Sequence, residues 1–523
     1  MNLKHFFFTY SKPEIINPYL AAYTPFVFIY AYNIDQAHIF NPVRLVILVF
    51  IFITLFNLIL QKILAHKGKS SLINCAILFI SFVTGHLTAV LPYFEIGRFN
   101  TVIVSRNPLL LLGACVFIWL SCIAIVKTKK VNFLKLLNRV IASTLLLVIL
   151  LNLVKIALYT INRSGQKKGA PLSSMVLSAT NLNRLPDIYY IILDGRARAD
   201  VLTQLYEYPE SELMNYFEQA GFFVGHQSKS NYLYTQLSLA TSLNYDYIEN
   251  LTPDFIYGNK NPTLLATFIE NNKAARRLKS LGYTYVLISS GYYATEKSPL
   301  ADTVYEYVYD FNNLELAYLR TNIFARLLTY VKLDPRTFHH NRILYQFKTL
   351  KNIPNDQRPT FTFAHILVPH PPFVFNEKGD EVGKDGRFRL SDGYGSVSTK
   401  EEYKSGYLKQ LIYTDTLLIE TLKEILSKSD TPPMIIIQSD HGPASEIKWQ
   451  NHQSSIFLSD VIDVTNPNSV FERTGILNAY YFPYQGSAKL YDSITPVNSF
   501  RILFNYYFGG DFPILSDQTF LDR

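Results

Sequence analysis

The stretch DIYYIILDG at residues 187–195 fixes the fold class of the second half of the chain. It is an apolar run of β-branched and aromatic residues that ends in an acid followed by glycine, which is typical of a buried strand in a parallel sheet. Similar runs recur at residues 283–289, 360–367 and 434–440, and helical patterns lie between them at residues 211–220 and 403–427. Alternating strands and helices predict an α/β domain with a central, mostly parallel sheet.

The composition separates this domain from the rest of the chain. Of 523 residues, 49% are hydrophobic and 17% are charged. Residues 1–186 hold 18 of the 49 Lys and Arg residues but only 3 of the 41 Asp and Glu residues. The larger half is therefore net acidic, which argues against nucleic-acid binding although the overall pI is near 9.0. All three cysteines (Cys75, Cys115 and Cys122) lie in the apolar half, so the second half has no cysteine nucleophile and no internal disulfide.

Residues 1–160 are predicted to be a transmembrane region of about five helices. Five apolar runs are found there, and the last three approach the ~20 residues that a helix needs to cross a bilayer. The first run is short and contains Pro25, so its limits are the least well defined. The runs occupy residues 18–32, 45–60, 72–90, 108–126 and 136–159.

Basic residues predict the orientation, because Lys and Arg collect in the cytoplasmic loops of membrane proteins. The clusters around Lys67 and Lys129 would share one side, and the opposite loops are poorer in basic residues. Five crossings of the cytoplasmic (inner) membrane would place everything after Tyr159 outside. Four spans and one interfacial helix would place it inside, and this alternative stays open. Residues 161–186 are predicted to be a linker, followed by an extracytoplasmic catalytic domain at residues 187–523.

Two of the predicted strands end in residues that can bind a metal. Asp194 ends the first strand, and Asp440 and His441 end the last one. A buried carboxylate needs a compensating partner, and a divalent cation at the strand ends would provide it. Carboxylate and imidazole ligands together suit zinc or manganese. For Asp194 alone a helix cap, and for the pair a hydrogen-bonded turn, would explain the residues equally well.

A candidate nucleophile lies in the segment NYLYTQLSLATSL, residues 231–243, where a loop is predicted to enter a helix near Thr235. A hydroxyl at a helix start faces backbone N–H groups that favour an incoming phosphoryl or sulfuryl group. Thr235 could equally be a simple helix cap. Rival hydroxyls in the same segment are Ser238, Thr241 and Ser242.

Besides His441, the six histidines of the second half divide into three groups. His370, in a proline-bounded loop after the third strand, suits contact with a developing charge. His452 is a second candidate for substrate binding, whereas His365, in the middle of a strand, is more typical of a buried, hydrogen-bonded residue or of a group that supports a site residue without touching the substrate. No motif surrounds the remaining three, which are expected at the surface: His226, His339 and His340.

Other residues near these motifs have less specific interpretations. Arg196 and Arg198 could clamp an anion, but basic residues after a strand more often solvate a helix face, and we expect the latter here. Tyr292 and Tyr293 could stack on a sugar or line a pocket for a lipid head group. The high aromatic content of the whole chain, 15%, explains them as well.

The ordered set of motifs resembles the alkaline phosphatase superfamily. Five membrane spans before an outward domain are similar to the lipoteichoic acid synthases and the phosphoethanolamine transferases. The resemblance implies one divalent metal ion, zinc or manganese, leaves a second open, and implies that the threonine becomes phosphorylated. It also implies that His370 is the histidine that contacts the substrate in the family. His452 would correspond to a second histidine that some members have. The implied metal ligands are Asp194, Thr235, Asp440 and His441.

This sequence departs from those families in two ways. Asp194 stands where the two transferase families generally use Glu, and the form Leu193-Asp194-Gly195 is more similar to sulfatases and nucleotide phosphodiesterases. The cysteine-free domain also lacks the disulfides of phosphoethanolamine transferases. A formylglycine sulfatase would need Cys or Ser followed by x-Pro-x-Arg, and no hydroxyl near Thr235 has that sequence.

The sequence therefore predicts a membrane-bound, metal-dependent transferase. It would move a phosphoryl-linked group from a lipid donor to an envelope glycan or a lipid-linked acceptor, through a phosphothreonine on Thr235. Two alternatives stay open: a sulfatase-like hydrolase or phosphodiesterase, and a catalytically inactive protein of envelope assembly. Nucleic acid is not expected as a partner.

Overall fold

The computed structural model describes most of the chain. Its described residues are 12–34, 42–90, 95–99, 102–166, 172, 175–180, 182, 184–209, 212–252, 262–308, 313–322, 335–353, 358–382, 390, 397, 399–449 and 462–521. The chain forms two compact units. The first comprises Met1–Gly165 and Phe311–Asp334, and the second comprises Gln166–Asp310 and Pro335–Arg523. The segment Phe311–Asp334 is thus part of the N-terminal unit, although the sequence analysis assigned it to the catalytic domain.

The first unit is built from apolar helices, as the five runs predicted. Among the described residues, three helices are long and apolar enough to cross a membrane, over Val43–Leu64, Lys67–Leu87 and Val131–Ile161, and Leu112–Lys127 is a shorter apolar helix. The elements are α1 (Pro13–Tyr32), α2 (Pro42–Leu64), α3 (Lys67–Val90), β1 (Glu95–Phe99), β2 (Val102–Ser105), α4 (Arg106–Lys127), α5 (Val131–Gln166) and, in the later segment, α12 (Asn313–Arg320).

The five long helices alternate in direction. Asn17 Nδ2 donates to the Asn138 carbonyl at 2.9 Å, and Asn138 Nδ2 donates to the Gly68 carbonyl at 3.2 Å, so α1, α3 and α5 begin at the same end. Lys69 Nζ donates to the Val126 carbonyl at 2.6 Å, which brings the end of α4 to that end as well. A short connection joins the end of α2 to α3. We call this end, which gathers the predicted cytoplasmic lysines, the basic end.

Helix α12 packs against the opposite end of the bundle. The Tyr318 ring lies 6.0 Å from the Phe26 ring and 5.1 Å from the Phe82 ring, measured between centroids. Glu315, which is fully buried, accepts a hydrogen bond of 2.8 Å from Nε of Arg44 at the start of α2. Apolar packing and a compensated buried charge together account for the position of this helix within the first unit.

The second unit contains a seven-stranded sheet in the order β4-β9-β8-β3-β7-β5-β6. Strand β9 is antiparallel to both of its neighbours, and every other neighbouring pair is parallel. This confirms the predicted α/β fold with a mostly parallel sheet. The strands are β3 (Ile188–Leu193), β4 (Phe223–Val224), β5 (Thr284–Ile288), β6 (Thr303–Tyr305), β7 (Thr360–Ile366), β8 (Met434–Gln438) and β9 (Asn478–Tyr481).

Helices connect these strands and cover the sheet. They are α6 (Ala199–Tyr206), α7 (Glu212–Ala220), α8 (Thr235–Asn244), α9 (Ile248–Leu251), α10 (Pro262–Glu270), α11 (Lys273–Ser280), α13 (Pro335–Lys351), α14 (Lys400–Lys428), α15 (Pro467–Thr474) and α16 (Pro496–Phe508). Side chains of a strand alternate between the two faces of the sheet. Thus Tyr190 packs on one face against Phe500 of α16, while Ile191 joins Leu418 and Leu422 of α14 in the apolar cluster on the other.

Candidate metal centre

The centre forms where two neighbouring strands end. Strands β3 and β8 are parallel, with Ile192 opposite Gln438, so their carboxyl ends lie at the same edge of the sheet. Open α/β sheets place their sites at this edge. Asp194 follows β3, and Asp440 and His441 follow β8. Their ligand atoms all lie within 4.8 Å of one another, and all three residues are buried.

The distances within the cluster are short. Nε2 of His441 lies 3.7 Å from Oδ1 of Asp194 and 3.3 Å from Oδ2 of Asp440. The hydroxyl of Thr235 lies 3.1 Å from the same nitrogen. The structure thus brings together the four residues that the resemblance implied as metal ligands.

The hydrogen bonds around this cluster leave three atoms in a state that suits binding of a divalent cation. Nδ1 of His441 donates to the Gly442 carbonyl at 3.0 Å, so Nε2 carries the lone pair. Oδ1 of Asp440 accepts from the Gly195 N–H at 3.2 Å. Oδ2 of Asp440 and Oδ1 of Asp194 are buried and have no hydrogen-bond partner among the described residues. Two orphaned carboxylate oxygens beside an imidazole lone pair are an oxygen and nitrogen donor set that suits zinc or manganese.

The surroundings keep the Asp194 carboxyl ionised. Burial opposes its ionisation, but His370, His365 and His441 outweigh burial and hold the pKa of Asp194 well below its ordinary value. A ligand for a metal must be deprotonated. Asp194 therefore meets this requirement at any pH near neutrality.

Thr235 is the first residue of α8, and Tyr234 before it has an extended backbone. Its side chain is half-buried and faces the cluster. The rival hydroxyls are elsewhere: Ser238 Oγ donates to the Tyr232 carbonyl at 3.0 Å, and Ser242 Oγ accepts from Tyr190 at 2.9 Å. Thr241 is fully buried within the domain core. Of the four hydroxyls considered, Thr235 alone contacts the cluster.

His370 lies beside the cluster. Its backbone N–H donates to the Asp194 carbonyl at 3.0 Å, and its ring centroid is 6.0 Å from that of His441. Nδ1 donates to the Pro371 carbonyl at 2.6 Å, which assigns the proton-accepting role to Nε2. Gln410 of α14 donates to the His370 carbonyl at 3.0 Å and fixes the loop. His452 lies outside the described residues.

Arg473 is a residue of the site that the sequence analysis missed. Its side chain is 2% exposed, and it donates to the Leu233 carbonyl and to the Gly442 carbonyl, each at 2.9 Å. It therefore ties the loop before Thr235 to the turn after His441. No local motif marks Arg473, because both of its partners are distant in the sequence.

Three expectations were wrong. Arg196 does not solvate a helix face: it is 1% exposed, and its guanidinium forms bonds of 3.1 and 2.7 Å to the two oxygens of buried Asp415. Arg198 is also buried and pairs with Asp200 at 2.7 Å. His339 is fully buried in α13 and not at the surface. Each residue lies on an inner face of the domain, where a charge needs a partner and an imidazole stays neutral.

Comparison with known proteins gives one family. The model of the sulfatase family matches residues 210–498, which include Thr235, Asp440 and His441 and begin after Asp194. No curated protein matched the sequence.

Several solved structures are similar in fold. The C-terminal periplasmic domain of EcEptC from Escherichia coli in complex with Zn is 15% identical, with a TM-score of 0.40, over 63% of this chain and 84% of that one. The integral membrane lipooligosaccharide phosphoethanolamine transferase A from Neisseria meningitidis is 12% identical, with a TM-score of 0.41, over 94% and 95%. The phosphonate monoester hydrolase of Agrobacterium radiobacter is 13% identical, with a TM-score of 0.36, over 61% and 73%.

Proposed function

The chain belongs to the sulfatase family, and from this premise we propose that it is a membrane-bound, metal-dependent enzyme that transfers a phosphoryl-linked group through a phosphothreonine on Thr235. The observation that carries the proposal is the 3.1 Å contact between the Thr235 hydroxyl and Nε2 of His441, at the edge of a buried cluster with two orphaned carboxylate oxygens. A threonine that only capped a helix would not need to lie beside an imidazole and buried carboxylates.

Asp194, Asp440 and His441 would hold the ion, with Thr235 as a fourth ligand. When bound, a divalent ion supplies positive charge that lowers the pKa of the threonine hydroxyl and stabilises charge on the transferring group. The N-terminus of α8, where Thr235 lies, presents backbone N–H groups to the same group.

Thr235 and His370 carry out the bond-forming and proton-transfer steps. Oγ1 of Thr235 forms a bond to phosphorus while the bond from phosphorus to the donor oxygen breaks. His370 accepts the hydroxyl proton of Thr235 at Nε2 and passes it to the departing oxygen. An acceptor hydroxyl then gives its proton to Nε2 of His370 and bonds to phosphorus, while the bond from phosphorus to Oγ1 breaks and Thr235 regains the proton from His370. With water in place of the acceptor the same steps give hydrolysis.

Phosphoryl chemistry is favoured over formylglycine sulfatase chemistry. The last cysteine of the sequence is Cys122, and the segment around Thr235 lacks the pattern from which formylglycine is made. An unmodified threonine with carboxylate and imidazole neighbours is suited to in-line displacement at phosphorus.

The membrane location favours substrates confined to the envelope. The alternating helices, with their lysines gathered at the basic end, support a cytoplasmic location for that end. With five crossings, the chain after α5 would then be extracytoplasmic. We therefore propose a lipid donor and, as acceptor, an envelope glycan or a lipid-linked molecule.

Intact-protein mass spectrometry after incubation with envelope lipids tests this proposal. An adduct of the transferred group should appear on Thr235 and disappear when acceptor is added. Cleavage of a chromogenic phosphodiester at the same rate with and without acceptor would favour a hydrolase. Zinc or manganese content below one equivalent, unchanged in Asp440→Ala, would instead favour an inactive protein of envelope assembly.

A further inference from the structure

His365 contacts Asp194 through the carboxylate oxygen other than the one nearest to His441. It lies on β7, directly opposite Ile192 of β3, and it is fully buried. Its Nε2 lies 3.3 Å from Oδ2 of Asp194 and has no other partner among the described residues. The other oxygen, Oδ1, is the one that faces His441. The two carboxylate oxygens are thus divided between His365 and the cluster.

A chain of hydroxyl groups sets the orientation of this imidazole. Nδ1 of His365 lies 2.9 Å from Oγ1 of Thr295, which lies 2.7 Å from Oγ of Ser290. Ser290 Oγ accepts from the Tyr292 N–H at 2.9 Å, and for its own proton Thr295 at 2.7 Å is a nearer acceptor than the Tyr292 carbonyl at 3.4 Å. Thr295 in turn lies nearer to Nδ1 of His365, at 2.9 Å, than to the Tyr292 carbonyl, at 3.5 Å, so the short contacts favour donation from Thr295 to Nδ1. A neutral imidazole that accepts at Nδ1 carries its proton on Nε2, where the Asp194 carboxylate can accept it.

The opposite direction is unfavourable. If Nδ1 donated to Thr295, a neutral His365 would present its Nε2 lone pair to a carboxylate oxygen in a buried site. Unpaired acceptors facing each other without water are costly. The packing fixes the position of the ring, because the Tyr292 ring stands edge-on to the imidazole at 5.9 Å and Gln346 Nε2 donates to the His365 carbonyl at 2.9 Å.

We propose that His365 is a positioning residue: with Ser290 and Thr295 it holds the Asp194 carboxylate so that Oδ1 faces the metal. This inference rests on the proposed function, in which Asp194 is a metal ligand. Groups that orient a ligand from outside the coordination sphere typically contribute 10- to 100-fold in metal affinity. His365 would therefore act on metal binding and touch no substrate.

The test is the zinc affinity of the purified full-length protein in detergent, measured by competition with a chromophoric chelator. His365→Phe should weaken zinc binding by about 10- to 100-fold, whereas His365→Gln, which keeps an N–H near the position of Nε2, should retain most of the affinity. Thr295→Val should weaken binding by about 10-fold, and Thr295→Ser should restore it. With saturating zinc, kcat should recover and KM should stay constant.

Thr362→Val is the matched control, because Thr362 is a buried threonine on β7, the strand of His365, and its hydroxyl has no hydrogen-bond partner among the described residues. It should leave zinc affinity unchanged. Equal zinc affinity in wild type, His365→Phe and Thr295→Val would overturn the role of His365 while leaving the proposed function intact. A wild-type protein that binds no zinc or manganese would overturn both. Since Thr295→Val is nearly isosteric, it decides the question even if His365→Phe fails to fold.

Discussion

The hydroxyl of Thr235 lies 3.1 Å from Nε2 of His441, although 206 positions separate the two residues in the sequence. The contact joins the start of α8 to the end of β8. Arg473 reinforces it from a third element, because one guanidinium binds the carbonyls of Leu233 and Gly442. Hydrogen bonds within the protein therefore hold the start of α8 close to the end of β8, and a bound metal is not needed for this.

Thr235→Ala should abolish turnover and leave metal bound. The change removes the attacking oxygen, and loss of a nucleophile lowers kcat by roughly four orders of magnitude or more. Thr235→Ser, which keeps a hydroxyl, should retain partial activity. Both are checked by phosphodiester cleavage together with metal analysis. Ser238→Ala is the control, since its hydroxyl is bonded to the Tyr232 carbonyl; undiminished activity in Thr235→Ala would move the nucleophile elsewhere.

Asp440→Ala should release the metal. Oδ2 of Asp440 has no hydrogen-bond partner among the described residues, and the change removes it as a ligand. Loss of a residue that only supports a ligand weakens metal binding by up to about 100-fold. Loss of the ligand itself should therefore lower the zinc affinity by more than about 100-fold. The exposed Asp511 offers a matched control, and Asp511→Ala should bind zinc as the wild type does. Metal content is measured after dialysis against a chelator. Retention of a full equivalent by Asp440→Ala would contradict the ligand assignment.

The sequence predicts the central strands well, because they are buried on both faces and therefore form uninterrupted apolar runs. The run at residues 187–194 becomes β3 (Ile188–Leu193), and the run at residues 360–367 becomes β7 (Thr360–Ile366). The edge strand β6 (Thr303–Tyr305) is only three residues long and largely exposed, so it leaves no comparable run. Helix α12 was assigned to the wrong unit, since its partners Phe26 and Phe82 are distant in the sequence.

The candidate site was predictable in part for a similar reason. Asp194, Asp440 and His441 each follow a strand, and neighbouring parallel strands end at the same edge of the sheet. Arg473 acts through hydrogen bonds between distant segments, and such contacts have no local pattern. The candidate site could therefore be located from the sequence, and the burial of His365 could be expected from its place in an apolar strand, but the contact of His365 with Asp194 could not.

Breaking the buried pair between Arg196 and Asp415 should destabilise the protein. The two side chains are 1% and 5% exposed, and removal of one partner leaves an uncompensated charge, so Asp415→Ala should lower the free energy of unfolding by about 3 kcal/mol. The double change Arg196→Met with Asp415→Leu should recover much of this loss. Thermal unfolding in detergent provides the measurement.

The exposed pair between Lys428 and Glu424 is the control for that experiment. Its side chains are 52% and 47% exposed, and exposed ion pairs are screened by water. Glu424→Ala should therefore leave the unfolding temperature unchanged. If Glu424→Ala and Asp415→Ala lowered the unfolding temperature equally, burial would not explain the contribution of the pair between Arg196 and Asp415 to stability.

The buried His339 should make the protein sensitive to mild acid. Burial, with His370 and His340 nearby, lowers the pKa of His339 to about 3, against about 6.5 in an unfolded chain. Below about pH 6.5 the imidazole binds a proton in the unfolded state but stays neutral in the folded state. The free energy of unfolding should therefore fall as the pH drops from about 6.5 toward 3. His339→Gln should lose less stability than wild type between pH 7 and pH 5, as judged by unfolding temperature. His340→Gln, at a half-buried neighbour, should behave as wild type; the same response in both variants would refute the assignment.

The orientation of the chain in the membrane can be read from reporter fusions. With the basic end in the cytoplasm and five crossings, a phosphatase that folds only outside the cytoplasm should be active when fused after Arg523, and a fluorescent protein that matures only inside should be dark there. The pattern should reverse for fusions after Thr128, between α4 and α5, because the Val126 carbonyl at the end of α4 binds Lys69 at the basic end. Equal protein levels by immunoblot control for expression. An active phosphatase after Thr128 together with a fluorescent fusion after Arg523 would invert the topology and place the metal centre in the cytoplasm, where an envelope acceptor could not reach Thr235.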